Sequence, residues 1–209
     1  MFGSSPAQRF LLVLLVALVA AFCFVLLDGP QGQSVTAPAS AFDGPALPAG
    51  LRAANFSLTD QYGHRIALAR YRGHVIALTF IHSLCHDACP LMVQDIKGAL
   101  NELPRDGAGV VAIGVSVDPS QDTRANRRKF LAEQGMSGRM SFLNGPRSYL
   151  ERVVWKDYAI APEDGTVENH SAYILLIDRS GFERVGFPAD EATPEGIAHD
   201  IRVLERART

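Results

Sequence analysis

Apolar residues are distributed along the chain in three patterns. From Phe10 to Leu27 the sequence reads FLLVLLVALVAAFCFVLL, an uncharged run about long enough to cross a bilayer core as a helix. From residue 28 to 50 the apolar signal fades. Pro30, Pro38, Pro45, Pro48 and several glycines interrupt any element, and Asp28 and Asp43 carry the only charges, the composition of a partly extended tether. Past Gly50 short periodic segments alternate with turn residues, as in a packed domain.

Within that domain, Phe56-Ser57-Leu58 alternates into Asp60-Gln61-Tyr62-Gly63, a hairpin turn, and Arg65 to Ala69 alternates again. Val75–Ile81 (VIALTFI) and Val110–Val117 (VVAIGVSV) are nearly continuous apolar runs rich in β-formers, the signature of strands buried on both faces. Between them Pro90 opens a helix with Met92, Ile96, Leu100 and Leu103 along one side. Asp118-Pro119 ends the second strand, Asp122 or Thr123 caps the next helix, and Gly135 closes it. Ser141–Leu143 is a short strand, and Asn144-Gly145-Pro146 turns into a helix with Leu150, Val153 and Val154 inward. Ala172–Ile177 is a further buried strand, Asp178–Gly181 a turn and Phe182–Gly186 its hairpin partner. Thr193-Pro194 starts the last helix, with Ile197, Ile201 and Leu204 facing in. The order β-β, β-α-β-α, β-α, β-β-α predicts an α/β fold, a mixed central sheet with helices on both faces.

Charge and composition narrow the function. Twenty basic against 22 acidic residues leave a net charge of -2, without the basic excess of a nucleic-acid binder. Three cysteines are too few for a disulfide framework. The apolar run has Arg9 before it and no basic residue after it until Arg52. The positive-inside rule then puts residues 1–9 in the cytoplasm, 10–27 in the membrane as one N-terminal transmembrane helix, and residues 51–209 outside. A small-x-small cleavage site does not follow Leu27, so an uncleaved anchor is favoured over a cleaved signal. The short, Arg-poor leader points to a bacterial inner membrane and a periplasmic domain, in an oxidising compartment. Cys23 reads as a lipid-facing apolar residue.

The chemistry concentrates in Cys85-His86-Asp87-Ala88-Cys89-Pro90, at the junction of a buried strand and a helix start. There the helix dipole and free N–H groups favour a thiolate. Two cysteines four apart can bring their sulfurs together as a chelate or a disulfide, and thiolates are soft ligands that select Cu(I) or Zn(II). Copper favours a third donor. His170, in Asn169-His170-Ser171 just before the strand Ala172–Ile177, is the best candidate, because in a thioredoxin-type sheet that loop approaches the cysteine-bearing helix start. His82 ends the buried strand and reads as a marker of changing environment. His86 could add a ligand, but as the neighbour of Cys85 its ring is expected to point elsewhere. His64, His74 and His199 read as surface residues. Asp118-Pro119 and Asp122-Thr123 read first as a strand end and a helix cap, and secondly as an acidic rim near the thiols.

Together these motifs resemble the SCO/SenC family of copper-binding proteins. The matching residues are Phe56-x-Leu58-x-Asp60-x-x-Gly63, Cys85-x-Asp87-x-Cys89-Pro90, Ser116-Val117-Asp118-Pro119-x-x-Asp122-Thr123, and His170-Ser171-Ala172 leading to Asp178-x-x-Gly181. The likeness runs from about Ala54 to Leu204. It implies a thioredoxin-like fold and a copper ion bound through Cys85, Cys89 and His170. It also implies a metallochaperone rather than an enzyme, helping to build the binuclear copper centre of cytochrome c oxidase subunit II. The same two cysteines would form a redox disulfide, which calls for a periplasmic thiol reductant or copper donor as partner. The alternatives are a thiol–disulfide oxidoreductase that keeps the client's cysteines reduced, or a copper or redox sensor. Two departures stand out: His86 replaces the family's usual proline after the first cysteine, and Asn169 its usual aspartate before the histidine.

Overall fold

The computed structural model describes residues 41–104, 109–160 and 172–207, with six isolated positions before residue 23. Contacts divide the chain into two units, Met1–Ala39 and Ser40–Thr209. Among the described residues no helix is long and apolar enough to cross a membrane. The expected anchor over 10–27 falls almost wholly outside them.

The second unit is built on a five-stranded mixed sheet. Its strands are β3 (Val75–Ile81), β4 (Val110–Ser116), β5 (Met140–Leu143), β6 (Tyr173–Ile177) and β7 (Glu183–Pro188), in the order β5-β4-β3-β6-β7. β4 runs parallel to β3, and β5 to β4, while β6 is antiparallel to β3 and β7 to β6. A separate hairpin of β1 (Ser57–Thr59) and β2 (Arg65–Ala67) closes through Gly63 at φ 95, a backbone geometry that suits glycine. The helices are α1 (Ala88–Glu102), α2 (Arg124–Glu133), α3 (Arg147–Tyr149), which continues as a π-helical stretch Leu150–Trp155, and α4 (Pro194–Arg206).

All seven residues of β3 are buried, and successive side chains point to opposite faces. Val75, Ala77 and Ile81 pack with Met92, Val93 and Ile96 of α1, Phe130 and Leu131 of α2, and Ile197, Ile201 and Leu204 of α4. Ile76, Leu78 and Phe80 pack on the other face with Leu58, Leu150, Val154 and Trp155. The helices thus cover both faces, as the sequence predicts. Each fully buried apolar side chain of this kind contributes about 1.5–3 kcal/mol.

The tether expected over residues 28–50 ends earlier than its composition suggests. Ala46 bridges Val185, Leu47 N–H donates to Arg184, and Gly186 N–H donates to Pro45. Phe42 packs against the core of the α1/α4 face. Residues 42–47 therefore belong to the packed domain. Backbone pairing with β7 holds a segment that has little apolar periodicity of its own.

Candidate metal and thiol centre

β3 and β4 are parallel and in register through Ile81 and Ser116, so both end at the same edge of the sheet. In open α/β sheets this carboxyl edge is where connecting loops form sites. The loop from β3 to α1 carries both cysteines, and the loop from β4 to α2 carries Asp118 and Asp122. Asp122 ties the two together. Fully buried, it accepts 2.7 Å from Ser83 N–H with one oxygen and 2.5 Å from the Ser116 hydroxyl with the other. Burial pushes its carboxyl pKa up, against the hydrogen bonds from Ser116 and Ser83. Asp122 is therefore not part of an acidic rim, because it lies beneath the thiol loop. Thr123 is the cap of α2, its hydroxyl accepting from Asn126 N–H.

The thiol loop folds on itself at His82, whose carbonyl accepts 3.2 Å from Cys85 N–H. That turn sets Cys85 just before the start of α1. Its Sγ accepts 3.4 Å from Cys89 N–H, so the sulfur takes up a donor that the first turn of a helix leaves unpaired. Both cysteines are free thiols, Cys85 half-buried and Cys89 buried. The Cys85 thiol is pulled down to about 3, first by the hydrogen bond from the Cys89 thiol and then, against burial, by His82 and the N–H groups of Asp87 and Cys89. Cys89 moves the opposite way, since it donates to Cys85 and is buried. Of the pair, the half-buried Cys85 is thus the more readily ionised, and the buried Cys89 is the hydrogen-bond donor to it.

His82 completes the cluster. One ring nitrogen of His82 and the Sγ atoms of Cys85 and Cys89 all lie within 4.8 Å of one another. The His82 pKa is raised by its hydrogen bond to the Cys85 sulfur, against burial, with the charges of Cys85, Asp122 and Asp118 adding to the shift. The sequence reading missed this role. The spacing His82-x-x-Cys85 at a strand end was the available signal, but only the turn at His82 brings ring and sulfur together. His86 is exposed and outside the cluster. His64 is an exposed ring paired with Asp60 at 3.1 Å, as a surface residue would be.

His170, with Asn169 and Ser171, lies outside the described residues. The nearest described position, Ala172, packs against the same core cluster as Cys85 and Cys89. β6 then begins beside the end of β3, with Thr79 opposite Ile174 and the Thr79 hydroxyl donating to Tyr173 carbonyl at 2.9 Å.

Two thiol sulfurs and an imidazole nitrogen form a soft donor set suited to Cu(I) or Zn(II). The same two thiols can exchange with a disulfide. Against known proteins, residues 46–205 match the family model SCO1/SenC. An SCO2-like protein of Rickettsia prowazekii is 26% identical over 133 residues, 60% of this chain and 64% of that protein, so the match spans a little under two thirds of the relative. The solved ScoI of Bradyrhizobium japonicum with copper bound is 28% identical, with a TM-score of 0.62, covering 74% of this chain and 99% of that one. BsSco is described as having a disulfide switch and as a member of the Sco family of cytochrome c oxidase assembly proteins. It superposes with a TM-score of 0.64 at 24% identity, covering 78% of this chain and 99% of that one.

Proposed function

The chain belongs to the SCO1/SenC family, and from that premise we propose that it is a copper metallochaperone assisting assembly of the binuclear copper centre of cytochrome c oxidase. The supporting observation is the Cys85–Cys89 pair. Two free thiols stand at a helix start with an imidazole nitrogen within 4.8 Å, and the Cys89 thiol, His82 and the helix-start N–H groups pull the Cys85 pKa down. Copper is the cargo. Cys85 and Cys89 would hold it, with His170 as the imidazole that the family resemblance assigns. Cys85 is accessible enough to meet a client, while Cys89 anchors the site in the core. The copper-bound Bradyrhizobium relative, matched along nearly its whole length, supports the same reading.

The domain acts as a carrier rather than an enzyme, on the outer side of a bacterial inner membrane. The apolar run at 10–27 is its single anchor, and its client is oxidase subunit II. Leu14, Leu15, Leu18, Val19 and Phe22 are helical and exposed, which accords with a lipid-facing segment. A periplasmic thiol reductant would have to open the cysteine pair before a copper donor could load it, since that compartment favours the disulfide.

The asymmetry of the two thiols favours a second reading, a thiol–disulfide oxidoreductase acting on the client. The Cys85 thiolate would attack one sulfur of a client disulfide and release the other as a thiolate. Cys89, losing its proton, would then attack Cys85 Sγ to free the client's second thiol. The client is reduced by two electrons and the pair is left as a disulfide for an external thiol to reset.

Copper retention by the reduced full chain separates these readings. Cys85→Ala and Cys89→Ala should each abolish tight binding, because one thiolate leaves no chelate. Copper retention unchanged in either variant would remove the metallochaperone assignment and leave the oxidoreductase.

A further inference from the structure

A short 3-10 turn, Leu68–Tyr71, links β2 to β3. Buried Leu68 anchors it in the core on the face of the sheet away from α1. Ala69 N–H donates 2.9 Å to the Asn55 side chain. Gly73, at φ 90, then lets the chain reverse, and His74 N–H donates 3.0 Å to the Tyr71 carbonyl. This brings Arg70, Tyr71 and His74 beside Arg65 and Ile66 of β2 and Val111 of β4. Together they line a concavity of about 560 Å³, of the size that small molecules occupy.

The charged side chains that line it are arginines, and structure does not consume them. Arg70 makes no hydrogen bond or ion pair among the described residues. Arg65 reaches only the Ser57 hydroxyl, at 3.5 Å, too long for a strong bond. The nearby Asp60 carboxylate is already engaged by Tyr62 N–H, His64 N–H and His64 Nδ1. His74, expected at the surface, is half-buried, and its Nδ1 is buried without a partner. An unsatisfied buried polar atom calls for an explanation, and a bound anion is one.

A guanidinium fork matches phosphate oxygens bidentately. A phosphoryl group has oxygens enough to engage two such forks, whereas one fork satisfies a carboxylate. The walls beside the arginines, Ile66, Tyr71 and Val111, belong to the apolar cluster on that face, which suits an organic substituent more than a bare ion. We propose that this concavity binds an organic phosphate, its phosphoryl group held by Arg65 and Arg70 with His74 beside them, and its apolar part against Ile66, Tyr71 and Val111. His74 and Val111 stand at the starts of β3 and β4, whereas the thiol loop follows the end of β3. The seven residues of β3 put about 20 Å between those ends. A ligand here leaves the cysteine pair open, and the site stands independently of the copper reading.

A phospholipid headgroup and a soluble phosphate ester offer the same chemistry. The test therefore titrates the full chain in a nonionic detergent at low salt with dioctanoyl phosphatidylglycerol, phenyl phosphate and inorganic phosphate, read by calorimetry. At least one organic probe should bind about threefold or more tighter than inorganic phosphate, since even partial burial of its apolar part adds affinity. Tighter binding of the lipid assigns a headgroup, and tighter binding of phenyl phosphate a soluble ester; either supports the site. Arg65 and Arg70 are exposed, so their substitution keeps the fold. Arg65→Gln and Arg70→Gln should each weaken binding about tenfold or more, the ratio that a hydrogen-bonding charged group represents. Lys129→Gln removes a positive charge from an exposed pair with Glu133 and should change it by less than about twofold. An equal loss in Lys129→Gln would reveal a general charge effect and overturn the proposal. Unweakened binding in either arginine variant, or no binding of either organic probe to the wild-type chain, would overturn it as well.

Discussion

Among the described residues, two places gather three ligand-type side chains within 4.8 Å: His82, Cys85 and Cys89 at the carboxyl edge of the sheet, and Asp43, His199 and Asp200 at α4. They differ in what their donor atoms already do. Asp200 is fully buried, and its oxygens are taken up by Asp43 N–H at 2.7 Å, Gly44 N–H at 3.0 Å and His199 Nδ1 at 2.9 Å. That carboxylate staples the segment before β1 to α4, while Asp43 and His199 lie in solvent at 58% and 45% exposure. At the other cluster the sulfurs face one another, an imidazole and the N–H groups of a helix start, which stabilise negative charge and leave sulfur lone pairs to offer. Proximity of ligand types is common; a donor set that is soft, preformed and not consumed by structure is what distinguishes the thiol centre.

The largest expected effect lies at the thiols. Replacing Cys85 or Cys89 by serine should cut copper affinity of the reduced chain at least a hundredfold, by roughly the 2.7 kcal/mol or more that such a ratio represents, and leave thermal unfolding nearly unchanged for Cys85. At the second cluster the outcome should invert. Asp200→Ala strips the acceptor from the Asp43 and Gly44 amides, the latter bond being buried. It should cost about 1–3 kcal/mol in urea unfolding while copper affinity stays at wild type. Copper loss in Asp200→Ala with an intact fold would erase the contrast between the two clusters.

A smaller effect concerns reactivity against pH. Cys85 is pulled down to about 3, so it is already thiolate throughout the range above that value. Its alkylation rate in the metal-free chain should stay nearly level as pH falls from about 8 to 5, where an ordinary thiol slows about tenfold per unit. The hydrogen bond from Cys89 is the first cause of that shift, so Cys89→Ala should restore part of the ordinary slope. A steep wild-type profile would mean that the thiolate is not held. The smallest effect is His199→Ala, which removes a half-exposed ring and should change stability by at most about 1 kcal/mol, measured by the same urea titration.

Much of this fold is legible in the sequence because burial writes a period. VIALTFI and VVAIGVSV announce β3 and β4, and the spacing of Met92 and Ile96 announces α1, with the cysteine pair at its start. Three features leave no such trace. The π-helical stretch Leu150–Trp155 carries apolar residues at spacings that an α-helix shares. Residues 42–47 join the domain through backbone bonds to Asp200 and β7, which any side chain permits, and only Phe42 and Leu47 hint at it. His82 shows as a single polar residue at a strand end. Its nearness to the sulfurs depends on a turn and on Asp122, which sits 39 positions from the Ser83 it holds. The thiols themselves were readable because a helix start, a soft pair and a chelating spacing coincide within five residues.

The most direct test of the contrast is copper content after equilibrium dialysis of the reduced full chain, comparing wild type, the Cys85→Ala/Cys89→Ala double variant and the Asp43→Ala/His199→Ala double variant. About one copper per chain is expected in wild type and in the Asp43/His199 variant, and none in the cysteine variant, since a single soft site holds the metal. Copper retained by the cysteine variant and lost from the Asp43/His199 variant would contradict the account.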